Sequence, residues 1–457
     1  MSEDATGLVY GIEDRPDSWW ETILYGWQHT LVDISPFVLP LAVAAAAGMS
    51  ATDTARLINF GLFGMGLATL IQTTVGNRLP IIQGPSATLT GTLAPVAAQL
   101  GPAAMWGAAF AGGVIEGVTG ASRLVGRARR LFPPAVTGVV VLIIGLSLGQ
   151  LAVRLAVGEG RAIDLALASG VLALVLFLQT RCSNLLGGLV ARAAIFVSIW
   201  VVGLGVGSVA GQVDWTLVAG RAWIAFPALF PFGGPGFGWE FSIAAVLAVT
   251  AGYVGSMVES IGDYAATCDV ADEQLTVRHI DRGIAAEGFG SALASVFGGL
   301  PCTSYTQNIG IIAATRVASR AVVRVAAVIL LLYGLSPKFG ALLVALPRSV
   351  LGGVFVLVCG MIAMSGLRLI GRSPPRPAIG TAIGLALIIA LGLPVYAQYG
   401  LGQTWIDGLP VAIRLLVTNS VVLGVLLAVG LHALLVGHDA TVASADGNAA
   451  GPRDATT

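Results

Sequence analysis

Leu300-Pro301-Cys302-Thr303-Ser304-Tyr305-Thr306-Gln307-Asn308-Ile309-Gly310 is the stretch on which the fold turns. A proline entry leads into a run of hydrogen-bonding side chains, and only a short apolar segment follows. Lipid does not tolerate that density of polar groups unless they face a partner or a cavity. The stretch has a counterpart more than two hundred residues earlier, where Leu79-Pro80 leads into Gln83-Gly84-Pro85-Ser86-Ala87-Thr88. Both predict a short extended piece followed by a half-helix whose N-terminus ends inside the membrane. The unpaired N–H groups of such an end, with the positive pole of the helix dipole, form a site for carbonyl oxygens or anions.

The rest of the chain supports a bilayer setting. Of 457 residues, 56% are hydrophobic and only 11% charged, with 61 glycines and a mean hydropathy of +0.86. A soluble domain carries about a quarter of its residues charged, so this chain cannot build a water-facing exterior. Glycine abundance fits close helix packing in lipid. The formal net charge is zero, which gives no electrostatic reason to expect a nucleic-acid partner. Cys182, Cys268, Cys302 and Cys359 lie singly, without a paired spacing or a histidine nearby in sequence, so neither a disulfide framework nor a metal site is expected. The stretch from Met1 to Glu21 is acidic and polar, so no cleavable signal peptide is expected and the first span serves as the insertion signal.

About fourteen apolar segments reach spanning or half-spanning length, near 23–48, 56–75, 81–99, 103–122, 134–153, 164–180, 187–209, 242–268, 283–298, 302–315, 321–335, 346–366, 378–399 and 414–437. The longest polar connection, 210–241, divides them evenly. With the N-terminus in the cytoplasm, inside loops hold Arg78, Arg123, Arg127, Arg129, Arg130, Arg181, Arg278, Arg282, Arg316, Arg320, Arg324, Arg368, Arg372 and Arg376. Outside loops hold only Arg56, Arg154, Arg161, Arg221, Lys338, Arg348 and Arg414. This asymmetry predicts both termini in the cytoplasm. Halves with an odd number of spans are inverted relative to each other, the arrangement common in secondary transporters. The fold expected is therefore an all-α integral membrane protein of fourteen segments in two inverted seven-span repeats, with short extended stretches before half-helices three and ten.

Charge enters the eighth segment at Ser256, Glu259 and Asp263, which share one helix face. A carboxylate near the bilayer centre costs about 2.5–3.5 kcal/mol on insertion scales, so two on one face imply an aqueous pocket, a proton or a counter-ion. Gly252, Gly255 and Gly262 on the same helix allow another backbone close. In the first segment Gln28 and His29 precede Asp33, which lies one turn beyond the histidine. Glu116 and Glu287 lie near arginine-rich ends, where ion pairs with those arginines are expected.

Three strings together resemble the nucleobase-ascorbate transporter family: Gln28-His29; Glu259-Ser260-Ile261-Gly262-Asp263-Tyr264; and Gln307-Asn308-Ile309-Gly310-Ile311-Ile312-Ala313-Ala314-Thr315-Arg316. The last matches the family signature Gln-Asn-x-Gly-x-x-x-x-Thr-Arg at every fixed position. The likeness runs on through Arg282-Gly283-Ile284 to Glu287-Gly288 and covers most of segments one, three and eight to ten. The resemblance implies a homodimer working by an elevator motion in the plasma membrane, with no cofactor and no enzymatic activity. It also implies a division into a tail (1–20), a core domain (21–125 and 242–336), a gate domain (126–212 and 337–438), an extracellular connection (213–241) and a second tail (439–457).

Carried over by position, the resemblance gives Glu259 the ring N–H groups of a base, and Gln307 a carbonyl and a neighbouring ring nitrogen. Backbone N–H groups near Ala87 and Thr306 complete the site, Asn308 holds the loop and Tyr305 borders the base. Asp263, His29, Gln28, Asp33 and Thr315 form the supporting, cation-linked set. The resemblance also implies xanthine or uric acid over uracil, since family members for uracil carry glutamate where this chain has Gln307, and the amide's paired donor and acceptor suit the edge of an oxidised purine. Ala87 stands where many relatives place phenylalanine, which enlarges the pocket, and Asp33 adds a carboxyl. Proton symport is expected, with sodium as the alternative ion. Two other readings compete: a carrier or channel for another small organic anion or heterocycle, and an intramembrane aspartyl protease. The anion reading does not need Glu259, which repels anions. The protease reading lacks the Gly-x-Gly-Asp context before Asp263.

Overall fold

The computed structural model describes residues 8–33, 38–128, 133–182, 194–232, 238–374, 376–397 and 399–449. It is mostly helical, and six helices are long and apolar enough to cross a membrane, or seven when one bent pair is counted as a span. In the first half, α1 (Trp19–Asp33) and α2 (Val38–Ala46) cover the first expected segment, and α3 (Ala51–Thr74) the second. Strand β1 (Gln83–Pro85) then leads into α4 (Ala87–Ala121), followed by α5 (Leu124–Ala128), α6 (Pro134–Val157), α7 (Ala162–Arg181) and α8 (Ala194–Val209). The middle of α8, Ile199–Val206, is π-helical. The connection near 210–241 is not featureless, because Trp215–Ala219 forms a short helix, α9, capped by Asp214.

The second half holds α10 (Ile243–Val270), α11 (Val277–Val296), strand β2 (Cys302–Ser304), α12 (Thr306–Thr315), α13 (Arg320–Gly334), α14 (Pro337–Ala345), α15 (Arg348–Gly371), α16 (Pro377–Tyr396), α17 (Gly400–Asp407), α18 (Val411–Thr418) and α19 (Ser420–Ala449). Helix starts follow capping chemistry. Ser50 accepts the N–H of Asp53, Ser242 that of Ala245 and Ser319 that of Val322. At α11, Thr276 accepts the N–H of His279, and the histidine ring accepts the N–H of Thr276 in return.

One expected single element is divided, and two expected separate ones meet at a sharp break. Segments three and four are the two parts of α4 and meet at Gly101, whose φ 85° and ψ 167° are not helical and break the helix just before Pro102, as the two expected segments require. That left-handed angle suits glycine, and the proline cannot donate into the preceding turn. The last segment divides at Asn419, whose Oδ1 accepts the N–H groups of Val421 and Val422 and so starts α19 afresh. α13 and α14 meet at 78° around Leu335 and Ser336. The described parts of the two polar ends carry regular contacts or helix. Residues 9–14 lie along the link after α12, with Tyr10 bridged to Val317 and Ser319 donating to the Asp14 carbonyl, and α19 continues to Ala449.

Glycine brings helix backbones together in two places that frame the site. α4 packs along α10 and α11. A Cβ on Gly288 would lie 2.2 Å from the backbone nitrogen of Gly117, so α4 and α11 touch main chain to main chain there. α6 runs along α15 in the same way, with Gly138 against the Gly366 carbonyl. In lipid, where apolar tails give no hydrophobic drive between helices, such close packing is what holds them.

Candidate functional site

β1 and β2 pair antiparallel, with Gln83 opposite Ser304, Gly84 opposite Thr303 and Pro85 opposite Cys302. Three-residue strands are too short to persist alone. Here every residue of both is buried, and the ribbon is closed by Ser86 N–H to the Pro301 carbonyl (3.0 Å) and Tyr305 N–H to the Ile82 carbonyl (3.0 Å). Thr69 locks it from α3: its hydroxyl accepts the Gln83 N–H (2.9 Å) and donates to the Gln83 carbonyl (3.2 Å). The chain leaves β1 directly into α4 and β2 directly into α12. Since the strands run oppositely, the two helix starts lie at opposite ends of a ribbon roughly 10 Å long.

α10 crosses both starts with its carboxylates. Glu259 Oε2 accepts the Thr88 hydroxyl in the first turn of α4 (2.7 Å). One turn on, Asp263 accepts Thr306 Oγ1 from the first turn of α12 (2.8 Å) and Ser304 Oγ from β2 (2.9 Å). The rise of four residues, about 6 Å, matches the spacing needed to reach one helix start and then the other. Glu259 is half-buried, Asp263 buried, Gln307 half-buried and Thr306 exposed, so the first carboxylate and the glutamine stay accessible beside the ribbon. Ala87 is buried with its N–H at the α4 start.

The two helix starts are not equivalent. Ser86 caps α4 by accepting the Leu89 N–H (3.1 Å), whereas Tyr305 at the head of α12 supplies no side-chain cap. The first turn of α12 therefore begins without a side-chain cap, Asn308 N–H donating to the Tyr305 carbonyl (3.3 Å). The Tyr305 ring lies across Gly84, where a Cβ would come within 2.4 Å of it, and its hydroxyl donates to the Pro85 carbonyl (3.2 Å). Gly84 is required by that close approach. Asn308 is buried and its amide donates to His29 Nδ1 (3.1 Å), tying α12 to α1.

The structure therefore gathers Glu259, Asp263, Ala87, Tyr305, Thr306, Gln307, Asn308 and His29 around the ribbon. Gln28 is buried in α1 beside His29. Thr315 closes the far end of α12, where its hydroxyl donates to the Ile311 carbonyl (2.8 Å), so it stands a helix length from Thr306. Asp33 is the last residue of α1, and its side chain lies outside the described residues. Gly252 and Gly255 face Thr92 and Thr88 at contact distance, whereas Gly262 faces open space.

The arginine pairing expected for Glu116 and Glu287 is wrong. Both are fully buried, and neither is in a salt bridge among the described residues. Glu287 instead accepts hydroxyls from Ser260 (2.7 Å to each oxygen), Tyr264 (3.1 Å), Ser256 (3.3 Å) and Thr303 (3.4 Å). Gln72 of α3 donates to the Tyr264 hydroxyl behind it (2.9 Å). Ser260 and Ser304 are 3.0 Å apart, so a chain of hydroxyls joins the Glu287 cluster to Asp263. Among the described residues Glu116 has no hydrogen-bond partner on either oxygen, and neither has the amide of buried Gln83. Sequence reading missed Thr88, Ser260, Thr303, Ser304 and Glu287 as site residues. The available signal was the helical spacing of Ser256, Ser260 and Tyr264 on the face that carries Asp263. The described residues contain no group of His, Cys, Asp and Glu placed to hold a metal.

The fold is shared with solved membrane proteins. It matches the transmembrane domain of a cyanobacterium bicarbonate transporter, BicA, with a TM-score of 0.62 at 16% identity over 91% of this chain and 99% of that one. It matches murine Slc26a9 in the inward-facing state with a TM-score of 0.65 at 11% identity, over 93% and 69% respectively. At these identities the likeness concerns the fold. In sequence, the chain is 32% identical to the uric acid permease PucK of Bacillus subtilis (strain 168), over 90% of this chain and 95% of that protein. It is 32% identical to the putative purine permease CPE0397 of Clostridium perfringens (95% and 94%) and 30% identical to the xanthine permease XanQ of Escherichia coli (strain K12) (96% of each). The profile described as Permease family, Xan_ur_permease, matches residues 20–401, and with the nucleobase-transporter motifs already identified this places the chain in that family, as a multi-pass transport protein and not an enzyme.

Proposed function

We propose that the chain imports a purine nucleobase, xanthine or uric acid, by symport with a cation, the proton being the first choice and sodium the alternative. The observation that carries this is Glu259, an accessible carboxylate 2.7 Å from the first turn of α4 and one turn from the contact with α12. Glu259 accepts ring N–H groups, Gln307 donates to a carbonyl and accepts from a neighbouring N–H, and the leading backbone N–H groups at Ala87 and Thr306 bind the remaining oxygens. An oxidised purine presents that alternation of donors and acceptors along its edge. The relatives named for uric acid and xanthine support the same class of cargo. Tyr305 borders the base. His29 and Asn308 fix the start of α12, with Gln28 and Asp33 beside them and Thr315 closing the helix. Asp263 links the site to the hydroxyl chain that ends at Glu287, a route along which cation occupancy is felt at the base.

The antiparallel ribbon, with each strand entering its own helix, supports two inverted seven-span repeats. Residues 21–125 and 242–336 form a core that carries the site, and 126–212 and 337–438 form a gate against which it moves as an elevator, in a homodimer of the plasma membrane with cytoplasmic termini. Uptake of labelled xanthine and uric acid by cells expressing the chain tests the reading. Wild type accumulates one or both, an imposed proton gradient drives uptake into proteoliposomes, and Glu259→Gln lowers uptake about 10- to 100-fold at equal membrane abundance. Wild-type protein present in the membrane that takes up neither purine contradicts it.

A further inference from the structure

A second concentration of charge lies away from Glu259, where residues 12 and 13 meet the turn between α3 and β1, the first turns of α11, and the start of α13. These parts enclose a cavity of about 220 Å³. Its walls hold four guanidinium groups, Arg78, Arg278, Arg282 and Arg320, against two carboxylates, Glu13 and Glu273. Glu13 serves Arg320 and, at 3.9 Å, Arg78. Arg320 is only 6% exposed and also donates to the Arg78 carbonyl (3.2 Å). Arg278 and Arg282 have no carboxylate within salt-bridge distance among the described residues. Two positive charges therefore remain uncompensated at the N-terminal end of a 20-residue helix, where the dipole also favours an anion.

A second cavity of about 570 Å³ adjoins the first and shares Arg278 and Arg282, with Arg123 and Asp281 also in its wall. Asp281 is occupied, accepting the Gly126 N–H (2.9 Å).

We infer that the paired cavities bind a phosphate monoester, its phosphoryl group held by Arg278 and Arg282, which line both, and its organic part in the larger cavity. Several convergent donors suit a group with three terminal oxygens, where a single carboxylate leaves donors unused. The surplus of two positive charges matches the near-dianionic charge of a phosphate monoester. The smaller cavity falls below the roughly 300–1,000 Å³ of sites that enclose a drug-sized ligand, which restricts it to a head group. The same chemistry is carried by a soluble ester and by a phosphatidate head group.

Thermal unfolding of the full-length purified protein distinguishes these sources without any transport assay. The probes are inorganic phosphate and adenosine monophosphate in detergent at constant ionic strength, and nanodiscs of phosphatidylcholine with or without phosphatidate. Ligand that binds only the folded form raises the Tm in a saturable way. The expected result is such a rise with phosphate or the nucleotide, which assigns a soluble ester, or with phosphatidate alone, which assigns lipid. In an Arg278→Ala/Arg282→Ala variant the apparent affinity falls about tenfold or more. Both side chains are exposed and unpaired, so the variant unfolds at the wild-type temperature in ligand-free buffer. No response to any probe, a response equalled by chloride, or an undiminished response in the variant overturns the inference.

Discussion

Buried carboxyls decide how the interior is read, and each is settled by what donates to it. Glu259, Asp263 and Glu287 all lie on or against α10 and take hydroxyl donors, from Thr88, from Ser304 and Thr306, and from Ser256, Ser260, Tyr264 and Thr303. Glu116 is the exception, enclosed and without a donor among the described residues. A buried unpaired carboxylate costs more than a neutral amide of the same shape. Glu116→Gln is therefore expected to stabilise the protein, by about 1–3 kcal/mol on the scale of one uncompensated polar group, read as a higher Tm of the purified protein. A lower Tm would show that the carboxyl is satisfied by a group that the glutamine cannot replace. Glu259 and Asp263 were legible from sequence because their spacing puts two charges on one face of an apolar helix. Glu287 was misread, because nearness to Arg278 and Arg282 along the chain does not reveal that α11 turns its side chain toward α10. Ser260 gave no warning on its own, since serine merely caps helices elsewhere.

At the scale of elements, the proline entries at 80 and 301 correctly marked two extended pieces followed by helices, because few other sequences put so many hydrogen-bonding groups into an apolar chain. What could not be read was which breaks matter. The break at Gly101 was legible because Pro102 follows it, whereas Asn419, which also ends one helix and starts another, appears in sequence only as a single residue within an apolar run. The contact between α4 and α19 allows the proposed elevator to be tested. A Cβ built on Gly91 lies 3.7 Å from the Cβ of Val421, within the 3.5–4.5 Å typical of a disulfide. Gly91→Cys with Val421→Cys is expected to cross-link on oxidation, to stop uptake when linked and to regain it on reduction. Full cross-linking with uptake unchanged would mean that α4 does not move past α19 during transport.

For the molecule as a whole, composition was enough to place the chain in lipid, and similarity to proteins of known fold agrees, while among the described residues six or seven helices meet the length and hydropathy of a span. The shorter pieces fail that criterion for a physical reason. Half-helices, the bent pair α13–α14 and the divided last segment are each too short alone, and they become interpretable only through what they pack against. The arrangement around β1 and β2 then gives the account its central claim, that a purine lies beside the ribbon between the α10 carboxylate and the leading N–H groups of α12. An experimentally determined structure of the full-length protein with xanthine or uric acid tests it most directly. The account predicts density for the base within hydrogen-bonding distance of both Glu259 and Gln307, against the starts of α4 and α12. Density for the base elsewhere, with Glu259 still satisfied by Thr88 alone, would contradict it.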